Sequence, residues 1–434
     1  MTAQRWSAGS AVVSFPLQPG TPMGGYMART SGVTDTQDPL QIGVLHLETH
    51  DRTLTLVTAD VIGVDGGLRD RIAGQAGLDP ATVLVCASHT HSGPHGIVHR
   101  LHPIEPDAGD DALRETFVAL ATGCIHRARV AMEPIRLGVA TADASGAWTN
   151  RNAQDGPNDP RLRLLVARRE DESLQTLVTL TPCHPTVLGA ESTVVSADLS
   201  GGIRRAIGAL PEVRDATILS LTGAAGDVST RFVRETATPA EIDRLAKIAT
   251  RNVSSALASI QTIEPSNASL RHRRIEVALP TFRENLAPDP HAEMLAAHAA
   301  MDAAQADAAN AAAIRHAVTR YQGALLRWQM ASSPTTSTIP TVAVDAWAFD
   351  HDVAFVSTPV ELFSSLGRRI EQESPFPTTL VVGYTNGYAG YVADTAAWDA
   401  GTYEALASPF ARRAGDALVD TIADVLRDLH TESG

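Results

Sequence analysis

The sequence predicts an α/β fold in which one domain with a mixed sheet spans residues 1–434. Short apolar runs, each typical of a buried strand, alternate with segments whose apolar residues recur at helical spacing. Polar residues follow several of these runs at the point where the strand ends. No internal repeat is visible and no linker stands out. These observations favour a single α/β domain over a chain of separate modules.

Strands are predicted where short apolar runs are bounded by turn residues, and helices where apolar residues recur every three or four positions. The predicted strands are 40–50, 53–64, 82–88, 136–142, 162–168, 175–181, 216–222, 268–279, 341–347, 352–358 and 378–384. The predicted helices are 67–77, 110–132, one opened at Ser200, 239–260, 288–332, one that carries Gly367, and 409–430. The Ala-rich segment 288–332 favours a solvated or packing helix, and its use as a lid over a pocket stays open.

Composition bounds the partners and the location of the protein. Hydrophobic residues make up 44% of the 434 residues and the formal net charge is −14, which argues against nucleic acid and against an anionic membrane surface. No apolar run is long enough for a transmembrane helix. The N-terminus lacks the basic start and apolar region of a signal peptide. The three separated cysteines favour buried thiols in a reducing compartment, so a cytoplasmic location is predicted.

Histidines and a glutamate follow three of the predicted strands. His89 and His91 come directly after the strand 82–88, and residues two apart on an extended chain point the same way. Such a pair suits either a divalent metal or acid–base chemistry, although two solvated loop histidines are the simpler interpretation. His184 follows a second strand and Glu361 a third. Two imidazoles and a carboxylate from separate strands form a zinc-type ligand set.

Seven motifs in order extend this constellation along the chain. They are HTHSGP at 89–94, Asn150-Arg151-Asn152, Cys183-His184-Pro185-Thr186, Ser196-Ala197-Asp198, AGDVS at 225–229, Pro359-Val360-Glu361 followed by Gly367-Arg368, and NGYAGY at 386–391 with Tyr403-Glu404. In this order the motifs resemble those of the neutral/alkaline, non-lysosomal ceramidases, and the whole chain resembles the catalytic domain of that family.

The resemblance implies a mixed-sheet α/β metallohydrolase with one zinc ion per chain. The implied metal ligands are His89, His184, Glu361 and Tyr391. The residues that match positions lining the site and handling substrate are His91, Arg151, Ser229 and Tyr403. A tyrosine ligand is reasonable because a nearby cation lowers the pKa of its phenol.

The implied reaction is hydrolysis of an N-acyl amide, with zinc polarising the carbonyl and activating water. Tyr403 and Arg151 are candidate donors to the oxyanion, and His91 would move protons or hold the substrate. Ser229 either hydrogen-bonds a substrate hydroxyl or acts as a nucleophile; the first is favoured because no GxSxG motif is present. Asp227 is interpreted as an orienting residue or a helix cap.

Several departures from the family leave the substrate open. The chain stops soon after Tyr403-Glu404, without the C-terminal β-sandwich domain of the ceramidases, and His95 replaces a small residue. Ceramide or a related N-acyl lipid is one expected substrate. The alternative is a cytosolic zinc amidase acting on a soluble, non-sphingolipid acyl amide or ester. The sequence leaves open the roles of His95 and His99, and the oligomeric state, a homo-oligomer included.

Overall fold

The fold is a mixed α/β arrangement, as predicted, and is described here from a computed structural model over residues 6–50, 52–263, 269–307, 310–333 and 341–432. Strands and helices alternate along the whole described chain. The strands are β1 (Trp6–Phe15), β2 (Asp35–Thr36), β3 (Leu40–Glu48), β4 (Thr53–Ala59), β5 (Val83–Ala87), β6 (Glu133–Asp143), β7 (Thr149–Asn150), β8 (Arg161–Arg168), β9 (Leu174–Thr181), β10 (Val194–Val195), β11 (Thr217–Thr222), β12 (Val228–Ser229), β13 (Gln261–Thr262), β14 (Leu270–Ala278), β15 (Thr341–Phe349), β16 (Val353–Ser357), β17 (Glu361–Leu362), β18 (Thr378–Val382) and β19 (Tyr391–Val392). The helices are α1 (Gly66–Ala76), α2 (Asp111–Val130), α3 (Asp198–Gly208), α4 (Pro239–Thr250), α5 (Val253–Leu257), α6 (Pro290–Ala306), α7 (Ala311–Ser332), α8 (Ser364–Glu373), α9 (Thr395–Ala400), α10 (Tyr403–Ala407) and α11 (Ala414–Thr431).

The larger sheet has the strand order β11-β9-β8-β6-β1-β3-β4-β5, with β13 beside β6. The pairs β4–β5 and β9–β11 are parallel and the remaining pairs on this path are antiparallel. The sheet curls so that its two edge strands, β5 and β11, meet. The Thr222 hydroxyl at the end of β11 donates to the Ser88 carbonyl just past β5 at 2.8 Å. The residues that follow β5, β9 and β11 therefore meet at one place.

Strand β1 is central in this sheet, although the sequence predicted no strand there. It pairs with β3 over its length, from Ser7 opposite Glu48 to Phe15 opposite Leu40, and with β6 at its start. Trp6, Ala8 and Phe15 are buried. The alternation of apolar and small polar residues from Trp6 to Phe15 is the signal that identifies this strand.

The smaller sheet has the order β14-β15-β16-β18, with β16 and β18 parallel. Helices α8 and α11 contribute Ile370 and Leu418 to the apolar core on this sheet. The chain just after β18 joins the two sheets: the Gly383 amide donates to Thr222 at 3.0 Å, and the Ala87 amide donates to Tyr384 at 3.0 Å. This junction places the ends of β5, β11, β16 and β18 together.

Three predicted helices differ from the observed ones. The predicted helix 239–260 is two helices, α4 and α5, which are separated at Arg251 and Asn252. The final helix begins at Ala414 rather than at 409. The Ala-rich segment forms α6 and α7, with residues 308 and 309 outside the described part of the chain. No helix among the described residues is both long enough and apolar enough to cross a membrane.

Candidate metal centre and its cavity

His89 lies two residues beyond β5 in a left-handed backbone conformation, with φ +63°. The chain is therefore not extended at His89. The prediction that His89 and His91 point the same way because they alternate on a strand gave the wrong reason. The two rings nevertheless meet, with Nε2 atoms 3.3 Å apart. The His89 Nδ1–H donates to the Ile62 carbonyl at 2.6 Å, which orients the buried ring.

His184 follows β9 and is fully buried. Its Nδ1–H donates to the Ala225 carbonyl at 2.7 Å. The loop after His184 is held by the Asp198 carboxylate, which accepts from the amides of Val187 and Leu188 at 2.9 Å each. Backbone groups and one buried carboxylate thus fix the direction of the His184 ring.

Glu361 begins β17, where it pairs in register with Tyr391 at the start of β19. Its Oε2 lies 2.9 Å from His184 Nε2 and 3.3 Å from His89 Nε2. Its Oε1 accepts a hydrogen bond from the Tyr388 hydroxyl. Burial alone would raise the pKa of Glu361, whereas positive charge at the facing His89 and His184 lowers it well below its usual value.

The tautomers of the two histidines define what this group can bind. Both Nδ1 atoms donate to carbonyls, so each Nε2 carries a lone pair that faces the Glu361 carboxylate. Burial lowers the pKa of His184 to about 4, which keeps its ring neutral. Three acceptors without a proton between them repel one another unless a cation lies among them. In tetrahedral coordination with bonds of about 2.0 Å, ligand atoms lie about 3.3 Å apart, so the residues fit a zinc-type ion.

His91 belongs to the same group. One ring nitrogen from each of His89, His91 and His184 lies within 4.8 Å of the others, so the three could hold a metal ion; with Glu361 they are called the metal-binding group below. The His91 Nδ1 is buried and has no hydrogen-bond partner among the described residues, while its ring packs edge-on against Tyr26 at 4.9 Å. Burial is the main cause that lowers the pKa of His91 well below the usual value, so His91 offers a further neutral nitrogen.

Tyr391 and Arg151 lie beside this group. The Tyr391 ring is stacked 6.5 Å from His184, and the Arg151 guanidinium lies over the Tyr391 ring at 5.3 Å. Arg151 Nε donates to Glu404 at 2.5 Å. Its Nη2 is buried and has no partner within the described ranges. Tyr403 is 6.1 Å from Tyr391, ring to ring.

Ser229 ends strand β12, and Asp227 directly precedes that strand. The buried Ser229 hydroxyl accepts from the Arg231 amide at 3.2 Å, and Ser229 is not among the described residues that line the cavity. The Asp227 carboxylate accepts from the Ser364 amide at 2.7 Å, at the first residue of α8, and from Asn150 at 2.8 Å. Asp227 therefore caps α8 and fixes the residue before Arg151, which are the two roles that the sequence left open.

A cavity of about 280 Å³ opens on the metal-binding group. Its wall includes His89, His91, Glu361, Tyr391 and Tyr403. His95 also lines it, whereas the exposed His99 pairs with Asp107 at 2.8 Å. Helix α7 contributes Leu326 to the wall, so the Ala-rich segment does border the cavity.

Sequence reasoning gave no role to two tyrosines at the site. Tyr388 donates to Glu361, and the buried Tyr384 stacks on His89 with centroids 4.2 Å apart. Tyr388 stands inside the motif 386–391, where its spacing of three from Tyr391 could have indicated a shared site. No pattern indicated Tyr384, because it reads as the last residue of an apolar strand.

Comparison with known proteins shows the fold. No protein-family model and no curated protein sequence matches the chain. Among solved structures, the neutral ceramidase from Pseudomonas aeruginosa superimposes with a TM-score of 0.73 at 15% identity, covering 99% of this chain and 76% of that one. A ceramidase complexed with C2 gives 0.72 and 14%, with the same coverage. The chain has the fold of these ceramidase structures, which confirms the predicted fold class.

Proposed function

We propose that this protein is a zinc-dependent hydrolase that cleaves an N-acyl amide bond. The observation that carries the proposal is the convergence of His89 Nε2, His184 Nε2 and a Glu361 oxygen, all acceptors, beside a cavity whose wall includes His89 and Glu361. These residues and Tyr391 would hold one zinc ion. The similarity of the fold to ceramidase structures supports the choice of reaction.

A zinc ion bound here would polarise the scissile carbonyl and lower the pKa of water. The remaining residues act on the substrate. Tyr403 and Arg151 would donate to the oxyanion; Glu404 holds the Arg151 Nε, and the Arg151 Nη2 has no partner among the described residues. His91 accepts and passes a proton, or serves as a further ligand. We assign to Ser229 a hydrogen bond with a substrate hydroxyl rather than nucleophilic attack on the substrate carbonyl.

Two substrate classes are compatible with this chemistry. Ceramide or a related N-acyl lipid is favoured by the fold similarity. A small soluble acyl amide or ester is favoured by the cavity, whose volume of about 280 Å³ lies just below the range of about 300–1,000 Å³ that is usual for pockets holding drug-sized ligands.

The test combines metal analysis with two substrate types. Wild-type protein, His184→Ala and the control His99→Ala, whose histidine lies outside the cavity, are assayed for zinc content and for hydrolysis of a fluorescent short-chain ceramide and a panel of soluble N-acyl amides. We expect zinc and hydrolysis in the wild type and the control, and loss of both in His184→Ala. A wild type that binds no zinc, or full activity in His184→Ala, contradicts the proposal.

A further inference from the structure

The segment 101–105 forms a part of the cavity wall that the proposed chemistry does not use. Leu101, His102 and Glu105 all line the cavity, and the Glu105 amide donates to the His102 carbonyl at 3.0 Å, which closes a turn. We call these residues the 101–105 turn. It presents an imidazole and a carboxylate to the space that contains the metal-binding group.

His102, which lines the cavity, has a buried hydrogen-bond acceptor without a partner among the described residues. Its Nε2–H donates to the Ala407 carbonyl at 3.0 Å, at the end of α10, so its Nδ1 carries the lone pair. That Nδ1 is buried and has no partner within the described chain. Burial lowers the pKa of His102, which keeps the ring neutral. A buried acceptor without a donor is costly, so a ligand that supplies an N–H or O–H is favoured there.

Glu105 adds a negative charge beside this acceptor. Its half-buried carboxylate forms no ion pair with any described residue. Glu105 and Tyr403 line the same cavity, so the carboxylate and the phenol face a common space.

No arginine or lysine on the described cavity wall forms an ion pair with Glu105, and the nearby Arg151 is paired with Glu404. Arg29 is the one arginine or lysine among the described lining residues. Its guanidinium donates to the carbonyls of Gly24, His91, Gly189 and Ala190. These four hydrogen bonds fix Arg29 to the loop that carries His91, and Arg29 forms no ion pair with Glu105 among the described residues.

The distance from the metal-binding group limits the ligand. His184, Tyr391 and Tyr403 follow one another with ring centroids 6.5 Å and 6.1 Å apart, and Glu105 lines the same cavity as Tyr403. A molecule with its amide at the metal-binding group therefore needs only a short chain to bring a donor group to the 101–105 turn.

We propose that the 101–105 turn binds a primary ammonium group of the substrate, so that the substrate is a small acylated diamine rather than a two-chain lipid. This inference rests on the proposed function for the position of the amide. An ammonium has three donors, which match the Glu105 carboxylate and the His102 Nδ1, and the nearby Tyr403 ring accommodates a cation. A carboxylate at the same end of a substrate would be repelled by Glu105.

The test measures binding separately from hydrolysis. Three probes of similar length are titrated calorimetrically into chelator-treated full-length protein: N-acetyl-1,4-diaminobutane, N-acetylpentylamine and N-acetyl-5-aminopentanoate. Without metal the probes stay intact, so affinity is read directly. We expect the ammonium probe to bind at least about tenfold more tightly than the neutral probe, with the carboxylate probe the weakest.

Two matched variants assign the preference to the turn. Glu105→Gln should reduce the ratio of ammonium to neutral affinity to within about twofold, whereas Asp107→Asn removes the same charge outside the cavity and should keep the ratio. Circular dichroism checks that both variants fold. Equal affinity for the ammonium and neutral probes, or a preference that persists in Glu105→Gln, overturns the inference.

Hydrolysis by the zinc-loaded protein separates this inference from the proposed function. Tight ammonium binding without cleavage of any probe supports the turn and contradicts the amide hydrolase. Cleavage of the neutral and ammonium probes with equal kcat/KM, together with equal affinities, supports the hydrolase and overturns the assignment of the turn.

Discussion

Gly25 is the position at which a single methyl group should most directly disturb the metal-binding group. Its φ is +98°, and a Cβ placed there would lie 2.5 Å from Cγ and 2.7 Å from Nδ1 of His91. Atoms cannot approach so closely, so the His91 ring must move in a Gly25→Ala variant. Gly20 provides the control, because it also has positive φ, +86°, but an added Cβ would meet nothing within 4 Å.

Two costs set the loss in the free energy of unfolding: backbone strain in both variants and overpacking in Gly25→Ala. A residue with a side chain in the left-handed region costs about 1–2 kcal/mol, which applies to both variants. Overpacking against the His91 ring adds about 1–3 kcal/mol in Gly25→Ala alone. We therefore expect a loss in the free energy of unfolding of about 2–5 kcal/mol for Gly25→Ala and of about 1–2 kcal/mol for Gly20→Ala.

Urea denaturation measures these losses in the free energy of unfolding, and zinc titration measures the affinity of the metal-binding group for zinc. If His91 contributes to the group, zinc affinity should fall by about tenfold or more in Gly25→Ala and stay unchanged in Gly20→Ala. Equal losses of stability in the two variants, with wild-type zinc affinity in both, would show that the His91 ring is neither constrained by Gly25 nor needed by the metal.

Three further predictions concern buried carboxylates. Burial raises the pKa of Asp227 to about 7 from 3.8. The protonated carboxyl therefore stabilises the fold fully below about pH 4, and this stabilisation is lost as the pH rises through about 7. The urea midpoint of wild type should fall over this pH range, and that of Asp227→Asn should not. Glu404→Gln leaves the Arg151 guanidinium without its carboxylate and should lower the free energy of unfolding by about 3 kcal/mol; an unchanged urea midpoint would contradict this. Chelation should lower the free energy of unfolding of zinc-loaded wild type by about 2.7 kcal/mol at a hundredfold excess of zinc over Kd, as measured by urea denaturation. It should leave Glu361→Gln unaffected.

The sequence indicated the place of the site because polar residues ended its apolar strands. His89, His184 and Glu361 follow β5, β9 and β16, whose ends the curled sheet and the junction at Gly383 bring together. That convergence is a property of tertiary structure. The sequence could predict which residues stand at strand ends, but not that Thr222 and Ser88 would join the two edges of the sheet.

Local geometry explains what sequence patterns missed. The positive φ at His89 accompanies hydrogen bonds from its amide to Val61 and from its ring to Ile62, contacts that no sequence periodicity could reveal. Strand β1 was overlooked although its alternation was visible, because small residues weaken the apolar signal. The 101–105 turn has no period at all, and the relation of His102 and Glu105 to the cavity depends on α10, three hundred residues further along.

The junction at Gly383–Asn386 has a consequence for how the protein opens. Its amide and carbonyl groups form hydrogen bonds with the strand ends of both sheets. One of these bonds joins the Tyr384 carbonyl to the amide of Ala87, which lies two residues before His89. Separating the ligand-bearing strands therefore requires these hydrogen bonds to break together. Amide hydrogen exchange at Ala87, Gly383 and Asn386 should then proceed only through global unfolding, as one cooperative unit. The metal-binding group would persist for as long as the two sheets stay joined.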